Sequence, residues 1–216
     1  MKHTIRFLTF HTLLVLAIGC SADRAGDTTG FDPWTADEKA SLLSELDRSQ
    51  DAVVDACRLL TADQWQFRES PDRWSIIEIV EHLQLQDLMF WRELYVLMQF
   101  PAMHYYHGLH KAPDSVFVSY ATVTGANTSR APWYIRPHGR WQTIEQALEI
   151  YRETRARIRE LVETSEVDFR QYITPRGWRD QAELRDLHQL VLLLVAHTDR
   201  HHGQIERVKA HPDWPE

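Results

Sequence analysis

The 216-residue sequence has only two cysteines, no long block of basic residues and no strand-length run of alternating apolar and polar residues. The low cysteine content excludes a fold held together by disulfides. The acidic excess, with 31 Asp and Glu against 24 Lys and Arg, argues against a nucleic-acid surface. The missing alternation argues against a sheet core. What is present is 44% apolar residues, enough for one domain with a sizeable core.

The N-terminus has the features of an export signal. Lys2 and Arg6 give a positive start, and residues 7–18 form an apolar stretch too short to span a membrane as a mature helix. The run Ala-Ile-Gly-Cys that ends at Cys20 resembles a bacterial lipobox, in which the cysteine is lipidated and becomes the new N-terminus. Because leucine is usual where this run begins with alanine, secretion after cleavage nearby is the alternative.

This start divides the chain into a signal peptide over residues 1–20, a small and polar tether over 21–34, and one domain over 35–216. We expect a lipid anchor at Cys20 to hold the mature protein at a membrane of the bacterial cell envelope, on the periplasmic or outer-surface side. Cys57 is then the remaining thiol. Its helical apolar neighbours predict that this thiol is buried and inert.

Four segments of the domain have helical periodicity in their apolar residues. They cover about residues 35–60, 74–99, 143–163 and 182–209. Thr35 and Glu38 have the spacing of a capping box, and Pro101 stops the second helix. Because long amphipathic helices without strands bury their apolar faces against each other, the sequence predicts an all-α helical bundle.

The connection between the second and third helices, residues 101–142, is longer than bundle loops usually are. We expect it either to pack across one end of the bundle or to form a lid over a site. Because His104, His107 and His110 lie in irregular chain, scattered surface positions are favoured for them over a second metal site. The aromatic residues of the segment are better suited to line a pocket mouth, and they are Tyr105, Tyr106, Trp133 and Trp141.

The last predicted helix carries two histidines at the end of an apolar stripe. His197 and His201 lie one turn apart on the same face, so their imidazoles can bind one ion. A third histidine, His82, lies near the apolar face of the second helix and is expected to point into the bundle. The three would form a facial set with open coordination positions, as a catalytic metal site requires. Zinc, nickel, iron(II) and manganese all suit such a set, so a divalent transition metal is the expected cofactor.

Several of these residues also carry a family resemblance. They are Trp74-Ser75, Glu78 and His82-Leu83 on the second helix, the run Pro-His-Gly-Arg-Trp at residues 137–141, and His197, Arg200, His201, Gln204 and Ile205 on the fourth. With this spacing the chain resembles the DinB superfamily, in its YfiT-like branch, over about residues 36–210. The resemblance implies an up-down-down-up four-helix bundle, here with the long insertion of residues 101–142. It also implies a metal bound by His82, His197 and His201.

The polar neighbours of these histidines are candidates for structural or chemical roles. Glu78, one turn before His82, is a candidate general base, but it also forms a capping box with Ser75, and the cap is the favoured interpretation. Gln204 can hydrogen-bond at the site or across the bundle, with the structural role favoured. Arg200 is expected to pair with acidic residues rather than to bind a substrate.

Two kinds of enzyme follow from the resemblance, since the DinB superfamily includes thiol S-transferases and members described as metal-dependent hydrolases. Thiol transfer needs a pool of reduced small thiols, which the cytosol keeps and the envelope generally does not. Hydrolysis needs only water and a metal ion. We therefore expect a metal-dependent hydrolase of a small molecule, with a thiol S-transferase or a non-catalytic metal- or ligand-binding envelope lipoprotein as alternatives. No nucleic-acid partner is expected, and a homodimer stays open.

Overall fold

A computed structural model describes residues 33–102, 112–122, 131–174 and 184–216. Helices make up most of this part of the chain: α1 Ala36–Cys57, α2 Ala62–Gln66, α3 Ile76–Leu97, α4 Asp114–Thr122, α5 Ile144–Thr164 and α6 Leu187–Lys209. A 3₁₀ turn covers Trp133–Ile135, and the short strands β1 Ile173–Thr174 and β2 Arg185–Asp186 pair antiparallel. The predicted all-α class is confirmed.

Several predictions concern residues outside these ranges. They include the signal peptide over 1–20 with Cys20, most of the tether, and the connection residues His104, Tyr105, Tyr106, His107 and His110. Within the described ranges, no helix combines the length and the apolar character needed to cross a membrane.

The start of α1 is set by the predicted capping box. Thr35 Oγ1 accepts a hydrogen bond from the Glu38 amide at 3.1 Å, and the Glu38 carboxylate accepts one from the Thr35 amide at 2.7 Å. These bonds satisfy amides that have no partner inside the helix. The helix ends at Cys57 rather than near residue 60, because Thr61 caps the separate short helix α2.

The last bundle helix, α6, begins at Leu187 and not near residue 182 as predicted. Asp186 accepts from the Gln189 amide at 2.7 Å, and Gln189 Oε1 accepts from the Asp186 amide at 3.2 Å. Asp186 also pairs with Ile173 across the two short strands, so its backbone is extended. The sequence placed the boundary too early because Ala182 and Glu183 favour helices as strongly as the residues that follow.

The four long helices form a bundle in which α1 and α6 are parallel. Lys209, at the end of α6, donates to the carbonyl of Ala56 near the end of α1 at 3.4 Å. By contrast, Lys39 near the start of α1 donates to the carbonyl of Ser165, just after the end of α5, at 3.1 Å. Helix α5 is therefore antiparallel to α1, and α3 packs against both α5 and α6. His82 in the first part of α3 contacts His201 in the last part of α6, and Glu93 near the end of α3 pairs with Arg185 just before α6, so α3 runs opposite to α6. This is the predicted up-down-down-up arrangement.

The parallel direction of α3 and α5 explains the long connection between them. Each helix has about 1.5 Å of rise per residue, so a 22-residue helix such as α3 is about 33 Å long and the chain must return along that length. On the way, α4 packs against α6, and the 3₁₀ turn packs against α3. The described part of residues 101–142 is thus a crossover along the bundle, and it brings Trp133–Ile135 to α3.

A buried polar layer separates two apolar clusters, one toward each end of the bundle. Each long helix contributes to the layer, through Ser49, Asp87, Arg155 and Thr198. The Arg155 guanidinium donates to the Asp87 carboxylate from Nε at 2.8 Å and from Nη2 at 3.2 Å. It also donates to Thr198 Oγ1 at 2.8 Å and to Ser49 Oγ at 3.3 Å. Because Thr198 follows His197 in α6, this layer adjoins the predicted metal ligands.

Cys57 lies in the apolar cluster formed with Val53, Ile76 and Val80, and its side chain is fully buried. Burial raises the pKa of the Cys57 thiol to about 12, so the reactive thiolate is scarce at neutral pH. The prediction of a buried, inert thiol agrees with this environment.

Candidate metal centre

Helices α3 and α6 bring three histidines together. His82 lies two turns into α3, while His197 and His201 lie one turn apart on α6. One ring nitrogen from each lies within 4.8 Å of the other two, and the ring centroids of His82 and His201 are 4.7 Å apart. His82 and His201 are each 2% exposed, and His197 is half-buried. The structure thus brings the three candidate histidines close together.

Two hydrogen bonds fix the tautomers of these rings. His82 Nδ1 lies 2.6 Å from the carbonyl oxygen of Ile135, and His201 Nδ1 lies 2.9 Å from Gln204 Oε1. Because a carbonyl oxygen can only accept, each Nδ1 must carry the proton. The lone pair on each ring is then at Nε2, the nitrogen left for an ion. Gln204 thus acts at the site itself, although a structural role was favoured for it.

The electrostatic environment keeps the imidazoles neutral. Burial lowers the pKa of His82 to about 4, against the opposing effect of its bond to Ile135. Burial also holds the pKa values of His197 and His201 well below the ordinary value, and the neighbouring Arg200 charge adds to both shifts. At neutral pH a metal ion would therefore displace no protons from these ligands.

Trp74 forms an aromatic wall beside the histidines. Its ring centroid lies 4.8 Å from that of His82 and 6.5 Å from that of His201. The aromatic residues predicted to line the site lie elsewhere where they are described: Trp133 is 73% exposed, and Trp141 packs against the apolar cluster. Among the residues that the structure describes, the aromatic neighbour of the histidines is therefore Trp74, two residues before α3.

Glu81, next to His82 in α3, holds the loop after the 3₁₀ turn. Its carboxylate is 1% exposed and accepts from the amides of His138 at 2.9 Å, Gly139 at 3.0 Å and Arg140 at 3.3 Å. Three amides converge on one carboxylate because Gly139 adopts φ +69°, which residues with a side chain rarely do. This anchor follows the 3₁₀ turn closely, so it helps to position the Ile135 carbonyl on His82. Glu81 was not predicted from the sequence, although the Pro-His-Gly-Arg run that it holds was the available signal.

Glu78 has the predicted capping role. Its Oε2 accepts from the Ser75 amide at 2.8 Å and from Ser75 Oγ at 3.1 Å, and its Oε1 accepts from Arg68 Nη2 at 2.6 Å. Both oxygens are thus used in bonds that start α3 and hold the preceding loop. This environment does not suit Glu78 as the general base of the histidine cluster.

Arg200 contacts the histidine cluster. Its Nη2 lies 2.7 Å from His201 Nε2. The preceding residue, Asp199, pairs with Arg48 at 2.8 Å across the bundle. Nothing in the sequence predicts this contact, since neighbours on a helix point about 100° apart and either can turn toward the site.

The donor set suits a transition metal. Three neutral imidazole nitrogens from two rigid helices match the preferences of zinc, nickel, iron(II) and manganese, whereas calcium and magnesium prefer oxygen ligands. The protonated Nδ1 atoms of His82 and His201 already have the outer acceptors that metal-bound histidines need. These residues can therefore hold a divalent ion.

Comparisons with known proteins agree with this architecture. The sequence model of the DinB superfamily matches residues 45–205. Among solved structures, the fold resembles that of YfiT from Bacillus subtilis, described as a probable metal-dependent hydrolase with an unusual four-helix bundle topology. The TM-score is 0.55 at 15% identity, over 86% of this chain and 93% of that one. No curated protein matches the sequence at a significant level. Since the family match spans most of the chain, the protein belongs to the DinB superfamily.

Proposed function

We propose that this protein binds one divalent transition-metal ion through His82, His197 and His201 and uses it to hydrolyse a small molecule. The observation that carries the proposal is the approach of one nitrogen from each imidazole to within 4.8 Å of the others. Ring nitrogens that approach each other this closely suit a shared ion. The fold likeness to YfiT, described as a probable metal-dependent hydrolase, supports the same function.

The ligand charges favour hydrolytic chemistry. Three neutral imidazoles leave the full charge of a divalent ion in place, and such an ion supplies Lewis acidity that polarises a carbonyl and acidifies water. The hydrogen bonds to Ile135 and Gln204 hold two of the rings in the ligating tautomer. Trp74 packs beside the cluster and offers an apolar face to a substrate.

A non-catalytic metal-binding role is the second candidate. The two carboxylates of α3 nearest the histidines are already used, Glu78 in the cap and Glu81 in the loop anchor. Neither suits the role of a base that accepts a proton from water. Thiol S-transfer is the third candidate, and the expected export of the chain counts against it because the envelope lacks a pool of reduced thiol.

We also propose that the mature chain is lipid-anchored at Cys20 in the cell envelope. The short apolar stretch that ends in Gly-Cys supports this location. Labelling cells with a radioactive fatty acid should mark the wild type and leave Cys20→Ala unlabelled. Release of both forms into the unbound fraction in equal amounts would refute the anchor.

Metal analysis of a form that starts at Ala22 tests the metal proposal. We expect one ion per chain in the wild type and almost none in His82→Ala or His201→Ala, with a lower melting temperature after chelation. His202→Ala is the matched control, since His202 is adjacent in α6 but outside the cluster. A wild-type protein that binds no metal, and whose stability does not respond to chelators, would refute the proposal.

Activity assays separate the three functions. Ester, amide and lactone substrates are tested beside pairs of a thiol and an electrophile, each with wild type and His201→Ala. Hydrolysis that is lost in His201→Ala supports the leading proposal. Conjugation that needs both added thiol and His201 identifies a transferase. Tight metal binding without turnover of either panel favours the non-catalytic role.

A further inference from the structure

Arg200 uses the lone pair that a metal ion would need. Since His201 Nδ1 carries the proton donated to Gln204, Nε2 is the acceptor nitrogen of that ring. Arg200 Nη2 donates to this nitrogen over 2.7 Å. A guanidinium stays protonated at all working pH values and has no lone pair, so it can only donate. The hydrogen bond and a bond from His201 Nε2 to a metal are therefore mutually exclusive.

We propose that Arg200 competes with the metal ion for His201 Nε2, and that on metal binding its guanidinium turns to a carboxylate group of the ligand that occupies the centre. The inference rests on the proposed metal site and names the class of ligand that the site takes, a small molecule with a carboxylate. Arg200 would thus determine ligand specificity while in direct contact with a metal-binding histidine.

The local charges support the competition. The Arg200 guanidinium is permanently charged, and its Nη2 lies 2.7 Å from the nitrogen that an ion would take, so its charge opposes a second positive charge there. The same repulsion acts on a divalent ion, so the arginine lowers metal affinity both by blocking the lone pair and by its charge.

The position of Arg200 in the chain supports the second step. It precedes His201 on a rigid helix, so after release its guanidinium stays within reach of the ligand set. A planar guanidinium matches a carboxylate through two parallel hydrogen bonds. A ligand that offers a carboxylate to Arg200 relieves the repulsion between guanidinium and metal. Metal and carboxylate should therefore raise each other's affinity.

The test measures the Zn²⁺ affinity of the full chain in detergent by competition with a chromophoric chelator, with and without benzoate. In the absence of benzoate we expect Arg200→Met to bind Zn²⁺ on the order of tenfold more tightly than the wild type. Benzoate should raise wild-type affinity by about tenfold, with much less effect on Arg200→Met. Benzyl alcohol, which has the ring without the charge, should have no effect on either form.

Two further variants keep the result interpretable. Arg207→Met changes another arginine of α6, one that pairs with Glu69 at 3.1 Å, and should keep wild-type affinity and benzoate response. Arg200→Gln gives a second neutral side chain in case Arg200→Met does not fold, and the same gain in affinity is expected.

The outcomes separate this inference from the metal proposal. Zn²⁺ binding with equal affinity in the wild type and both Arg200 variants would overturn the competition. An equal benzoate effect in all forms would overturn the carboxylate step. If neither the wild type nor the variants bind Zn²⁺ or another divalent transition ion, the proposed function itself fails, and this inference fails with it.

Discussion

His82 donates its Nδ1 proton to the backbone carbonyl of Ile135, 2.6 Å away and 53 residues further along the chain. A residue inside the bundle is thereby oriented by a turn of the crossover that packs against it. The adjacent Glu81 carboxylate holds the loop that follows this turn through the amides of His138 and Gly139. Metal affinity should therefore depend on residues that do not themselves bind metal.

Glu81→Gln tests this dependence. An amide keeps the size of the side chain but has one acceptor oxygen and no charge, so it cannot hold three backbone amides. We expect metal affinity to fall by about 10-fold or more, as is typical when an outer partner of a histidine ligand is lost. Zn²⁺ titration of the folded variant measures the effect. Glu145→Gln, an exposed change at the start of α5, is the control, and equal affinities in both variants would contradict the role of Glu81.

Two glycine substitutions are expected to change the stability of the protein in opposite directions. Gly139 has φ +69°, and a Cβ there would meet no atom within 4 Å, so Gly139→Ala costs only backbone strain, about 1 kcal/mol. Gly203 lies within α6 with equally open surroundings, so Gly203→Ala should stabilise the protein by about 0.5 to 1 kcal/mol. Urea unfolding of the metal-free protein measures both. Shifts of the same sign in the two variants would contradict the assigned conformations.

Arg155→Met should be among the most destabilising changes in the bundle. It leaves the Asp87 carboxylate, 1% exposed, buried without its cation, and breaking such a pair costs about 3 to 5 kcal/mol. The double variant Arg155→Met with Asp87→Leu should recover part of this loss because no unpaired charge remains. Urea unfolding of each variant gives the free energies.

Arg159→Met is the control for this prediction. Arg159 lies one turn further along α5 and pairs with Asp47 at the surface, where solvent screens the interaction. Arg159→Met should therefore lower the free energy of unfolding much less than Arg155→Met. Similar losses in the two single variants would show that the buried layer is not critical for stability.

The metal-free protein should lose stability as the pH falls from about 6.5 to 4. The unfolded chain protonates His82 near its ordinary pKa of 6.5, whereas the folded chain resists until about 4. In this window the unfolded state binds more protons, so the free energy of unfolding decreases as the pH falls. At about 1.4 kcal/mol per pH unit, His82 alone accounts for a loss of about 3 kcal/mol. His197 and His201 shift in the same direction.

Urea unfolding of the metal-free protein at several pH values between 7.5 and 4 measures the slope of the free energy of unfolding against pH. His82→Gln should be less sensitive to pH, because glutamine does not titrate. His202→Gln changes a histidine outside the cluster and should keep the wild-type slope. An unchanged slope in His82→Gln would contradict a buried, neutral His82.

The sequence by itself determined the elements whose signals are local. Apolar residues at helical spacing predicted the four long helices, and the Thr35–Glu38 spacing predicted the start of the first. The same phase placed His197 and His201 on one face, because the helix repeat alone decides that relation. The approach of His82 to this pair was expected because His82 lies near the apolar face of α3, and that face packs into the bundle.

The tertiary structure alone decided what depends on partners distant in the chain. Arg155 reads in the sequence as one arginine in an alternating charged helix, yet it is the centre of the buried layer, because α1, α3 and α6 surround that one position. Glu81 became a loop anchor because the crossover returns to α3. Arg200 reached the histidines because its side chain can turn to either side of α6. Helical periodicity assigns a residue to a face, but only the packed neighbours decide which charge that face meets.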